Sequence, residues 1–221
     1  MAVWTTLNPS DTHDGTLSGG NLIYTVQGGL SQGFSRAING YALGVANKFY
    51  FEVNGINGAG ASFNEGTGIA LLAATYANLD ADAVDAMLLE TDAFSAFRAS
   101  LNGAQIYIRG VATQFDIASV AVDLGAKKFW SKQAVNPTFP SGIIWNNDTL
   151  TNQNPSTGVG GIDLSVFGTS LIFPVVKAQT NLQNTYTCNF GQSAFASTLP
   201  TGFTAGWPGT PTEYAQVSIL G

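Results

Sequence analysis

A chain of 221 residues that is 45% hydrophobic and 11% aromatic has the material for a sizeable core, and its length suits one large all-β domain. Charged residues are only 10%, against about 25% in an average globular domain, so neutral polar side chains and 26 glycines make the surface. Eight lysines and arginines at a net charge of -6 give no phosphate-binding stripe, which excludes nucleic acid and an anionic membrane surface as partners; the lone Cys188 excludes an intrachain disulfide and a cysteine-based zinc site.

The chain starts "MAVWTTLNPSD", with neither a basic start nor an apolar run, so no signal peptide is expected. No later stretch approaches the roughly 18 to 20 apolar residues of a membrane span. Strand-like runs then recur at short intervals: "NLIYTV" (21–26), "KFYFEV" (48–53) and "TGIALLA" (67–73). Residues 77–94, "ANLDADAVDAMLLETDAF", break the pattern. Ala, Leu and Met fall there at helical spacing behind an Asp that could cap them, which predicts a short helix or an irregular excursion at 81–89. Asp80, Asp82 and Asp85 lack the glycine turn and closing glutamate of a calcium loop, so no metal is expected there.

Next, "FSAFRASLNGAQIYIRG" carries Asn102-Gly103 between alternating residues, the signature of a type I′ hairpin. "IASVAVDL" (117–124), "SLIFPVV" (170–176) and "TYTCNF" (185–190) complete a series whose spacing fits a β-sandwich, with Cys188 as a small buried hydrophobe. Prolines and glycines in "GWPGTP" set off a tail, 208–221, that turns strand-like at "YAQVSIL". Such a segment closes its own sheet or docks on a neighbouring subunit.

Catalytic groups are sparse. His13, the only histidine, lies in the glycine-flanked "DTHDGT", a poor mount for a general base. Glu52, Glu65, Glu90 and Glu213 are widely separated. Glu52 and Asp123 each end an apolar run and leave one cross-strand carboxylate pair open for glycoside hydrolysis; the alternative is a hydrogen-bonded strand-end carboxylate. The glycine clusters at 18, 27 and 158 lack a nucleotide loop's lysine and read as turns. The expectation is a non-enzyme with no cofactor.

Ligand chemistry concentrates in "SGIIWNNDTLTNQNPSTGVGGIDLS" (141–165). Trp145, Asn146, Asn147, Asp148, Asn152 and Asn154 supply an aromatic face and the amides and carboxylate that exchange hydrogen bonds with sugar hydroxyls. The competing reading makes the Asn and Asp residues turn-formers and Trp145 a plug at the sandwich edge. Phe129-Trp130, Phe139, Ile143, Ile144 and the tail place apolar residues near loops, as an interface or an ordinary core would. So few charges suit an oligomeric assembly.

One ordered series of motifs carries a family resemblance: Trp4 with "LNPSD", "TLSGGNL" (16–22), Arg36, "NKFYFEV" (47–53), "TGIALLA", "VAVDLGAKKFW" (120–130), "WNNDTLTNQNPSTGVGGIDLS", "FPVV" and "NFGQSAFASTLPTGFTAGW" (189–207). It resembles the SPRY-like, concanavalin-like sandwich domains found in phages and prophages, with Asn47 in their glycine position and Phe49 in their tryptophan position. The resemblance implies an all-β, two-sheet antiparallel sandwich of jelly-roll type with at most one short helix, as a single domain over 1–207. It further implies a virion-associated binding module on a fibre, tail tip or capsid surface, with other virion proteins and a host glycan or receptor as partners; with no signal peptide expected, synthesis in the host cytoplasm is the matching expectation. Alternatives are a decoration protein that binds only neighbouring virion subunits, and a glycan hydrolase on the same fold. The 77–92 excursion and the tail depart from the family pattern.

Overall fold

Side-chain alternation decides the layout. In Lys48–Asn54, Phe49, Phe51 and Val53 enter the central core while Tyr50 turns to the opposite face, and Ile117–Asp123 beside it sends Ala118, Val120 and Val122 inward. The computed structural model describes residues 3–26, 31–55, 65–75, 79, 83, 85–91, 96–111, 117–134, 145–147, 153–180 and 184–209. Within them the architecture is a two-sheet antiparallel sandwich.

Sheet I runs in the order β1 (Leu7–His13), β4 (Ser31–Ala37), β14 (Leu171–Thr180), β7 (Glu65–Leu71), β8 (Ala86–Thr91), β9 (Ala96–Leu101) and β10 (Ala104–Val111), with β5 (Tyr41–Ala42) beside the start of β14. Sheet II runs β13 (Ile162–Asp163), β12 (Lys128–Ala134), β11 (Ile117–Asp123), β6 (Lys48–Asn54), β15 (Thr185–Asn189), β3 (Ile23–Val26) and β2 (Gly15–Ser18). β16 (Thr204–Ala205) lies along β6 as a short parallel contact. Between the sheets, Phe49, Phe51, Val120, Val122 and Phe129 meet Ile69, Met87, Leu89, Ile172 and Val176. Each such side chain contributes roughly 1.5–3 kcal/mol on burial, so this layer holds the sheets together. Trp207 closes one end, its ring centroid 5.7 Å from Tyr41, 5.0 Å from Phe49 and 6.0 Å from Phe51. Cys188 is buried in the same core, and burial pushes its thiol pKa up.

Each strand-like run of the sequence contains a strand, and Asn102 and Gly103 join β9 to β10 with φ of 48° and 84°, both positive as a type I′ turn demands. Of the short helix or irregular excursion expected at 81–89, the described residues take the irregular path: Ala83 and Asp85 have φ of 57° and 56°, and β8 begins at Ala86. Met87 and Leu89 of β8 enter the central core while Ala86 and Leu88 are buried on the outer face under Leu79 and Ala83. A strand buried on both faces is apolar at consecutive positions, and that mimics helical spacing. Of the apolar residues near loops, Phe129 and Trp130 are fully buried. Phe139, Ile143, Ile144, Asp80, Asp82 and the tail from 210 lie outside the described residues.

Candidate functional site

The loop that the sequence marks as richest in ligand chemistry meets the outer face of sheet II at a short 3-10 turn, Trp145–Asn147, beside β12. Its middle residue, Asn146, takes the left-handed region (φ 55°, ψ 23°) and is 4% exposed. Its Oδ1 accepts the Ser131 N–H at 2.9 Å, and its Nδ2 donates to Gln153 Oε1 at 2.8 Å, an oxygen that also accepts the Gly161 N–H at 2.8 Å. β13 pairs with β12 only at Lys128 and Phe129, so Asn146 serves a strand edge that would otherwise hold an unbonded donor. Asn154 likewise accepts the Ser156 N–H at 3.0 Å and caps the turn Pro155–Thr157. The amide carbonyls of Asn146 and Asn154 are thus committed to the fold. The Asn147 side chain, Asp148 and Asn152 lie outside the described residues. Asn146→Ala is expected to cost about 2 kcal/mol in urea denaturation, because the buried Ser131 N–H loses its acceptor.

Gly161 explains how the loop fits so closely. Its φ is 84°, and a Cβ there would stand 2.7 Å from the Trp130 ring. Trp130 Nε1 donates to Val159 O at 3.2 Å and Lys128 Nζ to Gly160 O at 2.6 Å, so residues 159–161 are strapped to β12.

Trp145 is half-buried. It stands edge-on to Tyr50 (centroids 6.5 Å apart, 79°) and joins the cluster of Tyr50, Ala121, Trp130 and Phe203. Lys132 Nζ lies 4.7 Å from the Trp145 ring centroid. Burial pushes the Lys132 pKa below the usual lysine value, and the nearby Glu52 charge opposes that shift. Among the described residues this ammonium makes the ring contact and no hydrogen bond.

Tyr50 links Trp145 to Glu52, a buried carboxylate on the same outer face. Its Oε1 accepts the Tyr50 hydroxyl at 2.6 Å and the Ser197 N–H at 2.9 Å, and its Oε2 accepts the Ala196 N–H at 2.8 Å. Ser119 Oγ is 3.5 Å from Oε1 and 3.2 Å from Ser197 Oγ. Burial, and then the bond to Glu52, push the Tyr50 pKa up. Phe195 caps the arrangement edge-on to Tyr50 at 4.8 Å. Residues 195–203 are therefore a strap clasped to sheet II by one carboxylate and by aromatic contacts.

The carboxylate pair left open by the sequence is not formed. Glu52 stands opposite Ser119, and Asp123 opposite Lys48, at the far end of the same strand pair. Four residues of strand separate them by roughly 13 Å, more than the about 5–9.5 Å that glycosidase carboxylates span. Asp123 bonds Lys48 Nζ at 2.9 Å and the Ala126 N–H at 2.8 Å. His13, 56% exposed at its side chain, stacks on Phe34, and its neighbour Asp11 is gripped by Arg36 at 2.6 and 3.1 Å.

Sequence reading named Trp145 and missed Lys132, Tyr50, Ser119, Phe195 and Ser197. A signal existed for some of these: alternation in "KFYFEV" and "KFWSKQ" puts Tyr50 with Glu52 and Trp130 with Lys132 on the face opposite the core. Nothing local pairs Lys132 with Trp145.

Comparison with known proteins bears on the fold. No protein-family model matches the chain, and no curated protein matches it. Among solved structures, the SPRY domain of human HERC1 superposes with a TM-score of 0.59 at 14% identity, covering 85% of this chain and 99% of that one. The TRIM65 PSpry domain gives 0.56 at 11% identity, over 84% and 91%. Stonustoxin gives 0.51 at 13% identity, over 84% of this chain and 27% of the toxin. At 11% to 14% identity the likeness is one of architecture: this chain folds as a SPRY-like, all-β, two-sheet antiparallel sandwich.

Proposed function

We propose that the chain is a non-enzymatic binding module, displayed on a phage or prophage fibre, tail tip or capsid surface, that recognises a host glycan or receptor through the Trp145 edge of sheet II. One observation carries the reading: a half-buried indole held in place by Tyr50 and Lys132, next to an ammonium with no hydrogen-bond acceptor among the described residues. A fixed aromatic ring offers a sugar's apolar face a platform without an ordering penalty, and the ammonium supplies donors to its oxygens. Placement on a virion rests on the ordered series of motifs from Trp4 to Trp207 that resembles phage and prophage domains.

The test is a glycan array and a host-cell pull-down with the wild type and Trp145→Ala. The variant is expected to bind about 30-fold more weakly, as loss of a central aromatic anchor does. Binding retained at full strength would remove Trp145 from the site.

A second reading, a decoration protein that binds only neighbouring virion subunits, draws on the low charge content of 10%. It predicts no array signal and tight co-purification with the virion.

A further inference from the structure

The register of sheet II lines three polar side chains across its outer face: Glu52 stands opposite Ser119, and Ser119 opposite Lys132. Neighbouring strands lie about 4.8 Å apart, so the acid and the base of this row are roughly 10 Å apart at their backbones. The acid is saturated and enclosed. Glu52 is 4% exposed, and the Tyr50 hydroxyl and the Ala196 and Ser197 N–H groups all donate to it. The base is left open. Lys48 and Lys128, on the same face, are held by Asp123 at 2.9 Å and by Gly160 O at 2.6 Å. Lys132 is only half-buried, and among the described residues its Nζ has no hydrogen-bond acceptor, only the Trp145 ring at 4.7 Å. An incoming acid therefore meets the ammonium and not the carboxylate.

Burial lowers the Lys132 pKa, and the Glu52 charge across β11 opposes that shift. A ring face returns less to such a cation than a carboxylate oxygen, whose charge-assisted bond is roughly twice as strong as a neutral one. Lysine offers a compact charge with rotatable donors, which suits one acid group approaching at any of several angles. A single open lysine in a chain of net charge -6 suits a singly charged group, whereas a polyanion needs a row of cations. A sugar held against the indole brings its ring substituents to the ammonium that stands over the same indole.

We propose that the ligand of the Trp145 edge is an acidic sugar whose carboxylate bonds Lys132 while its apolar face lies on the indole. This rests on the reading of that edge as a glycan site and adds the chemical class. Lys132 thereby sets specificity, separating a uronic acid from the neutral sugar of the same shape.

The probe is a panel of glucuronate- and galacturonate-containing oligosaccharides, each printed beside its counterpart with the carboxylate reduced to a primary alcohol. The full chain is applied as wild type, Lys132→Met, Trp145→Ala and Lys127→Asn, with near-ultraviolet circular dichroism to check each fold. Lys127→Asn removes one charge about 16 Å along the chain from Lys132 and controls for general attraction. The wild type is expected to bind an acidic member about tenfold more tightly than its neutral counterpart. Lys132→Met should bring that member down to the counterpart's level, and Lys127→Asn should keep the ratio. Equal or weaker wild-type affinity for every acidic member, with binding lost in Trp145→Ala, would overturn the acid preference and leave the glycan reading standing. A preference that survives Lys132→Met, or falls equally in Lys127→Asn, would remove Lys132 from the role. Binding of no glycan, or binding that Trp145→Ala leaves intact, would overturn the glycan reading and this inference together.

Discussion

Lys177→Met is expected to lower the unfolding free energy by about 3–5 kcal/mol, the usual effect of removing one partner from a buried ion pair. Lys177 Nζ lies 2.8 Å from Glu90 Oε1 and 3.0 Å from Leu79 O, and both charged side chains are fully buried. The pair bridges over β7: Lys177 and Glu90 both register with Gly66, where a Cβ would stand 2.8 Å from Glu90 Cγ. Glycine there leaves the groove through which the two side chains meet. Methionine strips a buried carboxylate of this cation and leaves the Leu79 carbonyl without the Lys177 N–H. The double variant Lys177→Met/Glu90→Leu should recover most of the loss, because an apolar pair of similar volume needs neither partner. Urea melts of the two single variants and the double variant check this. Single variants that each cost under about 1 kcal/mol would show the pair to be well hydrated instead.

Glu52→Ala carries the second large effect, about 3–4 kcal/mol, since it leaves the Tyr50 hydroxyl and the Ala196 and Ser197 N–H groups without their acceptor at about 1–3 kcal/mol each before relaxation. Glu52→Gln keeps one acceptor oxygen and should restore about half. The consequence for the site is separate from stability. Releasing residues 195–203 removes Phe195 from Tyr50, and Tyr50 supports Trp145, so the tryptophan emission of Glu52→Ala should shift to the red below its melting range. Unchanged stability would mean that burial of Phe195, Leu199 and Phe203 alone holds the strap.

The contrast between these two carboxylates shows what is legible in the sequence. "KFYFEV" announces a strand because aromatic and β-branched residues alternate with Tyr and Glu, and the register of β6 with β11 and β15 is set by keeping Phe49, Phe51 and Val53 inside. That Glu52 would hold a strap from residues 196–197 is a long-range fact, 144 positions away, with no local signal. β1 is equally hidden. "LNPSDTH" is polar, and it becomes a strand through β4, where Thr12 bonds Ser35 and Asp11 grips Arg36. In the loop, residue type alone misleads about Asn146: an amide suits a sugar hydroxyl and a strand-edge N–H equally, and which it meets depends on where β13 stops. Trp145 is nameable as an aromatic in a polar loop, whereas its cation, Lys132, is not adjacent in sequence and enters only through the packing of the turn on β12.

The claim that Trp145 is the contact residue is tested most directly by the indole N–H resonances of the protein, which has 4 tryptophans. Host-surface polysaccharide is titrated into the labelled chain, with Trp130 and Trp207, both fully buried, as internal references. The account predicts that the Trp145 resonance, assigned by its loss in Trp145→Ala, moves in a saturable way while Trp130 and Trp207 stay in place. A polysaccharide that binds the chain and leaves the Trp145 resonance unmoved would contradict it.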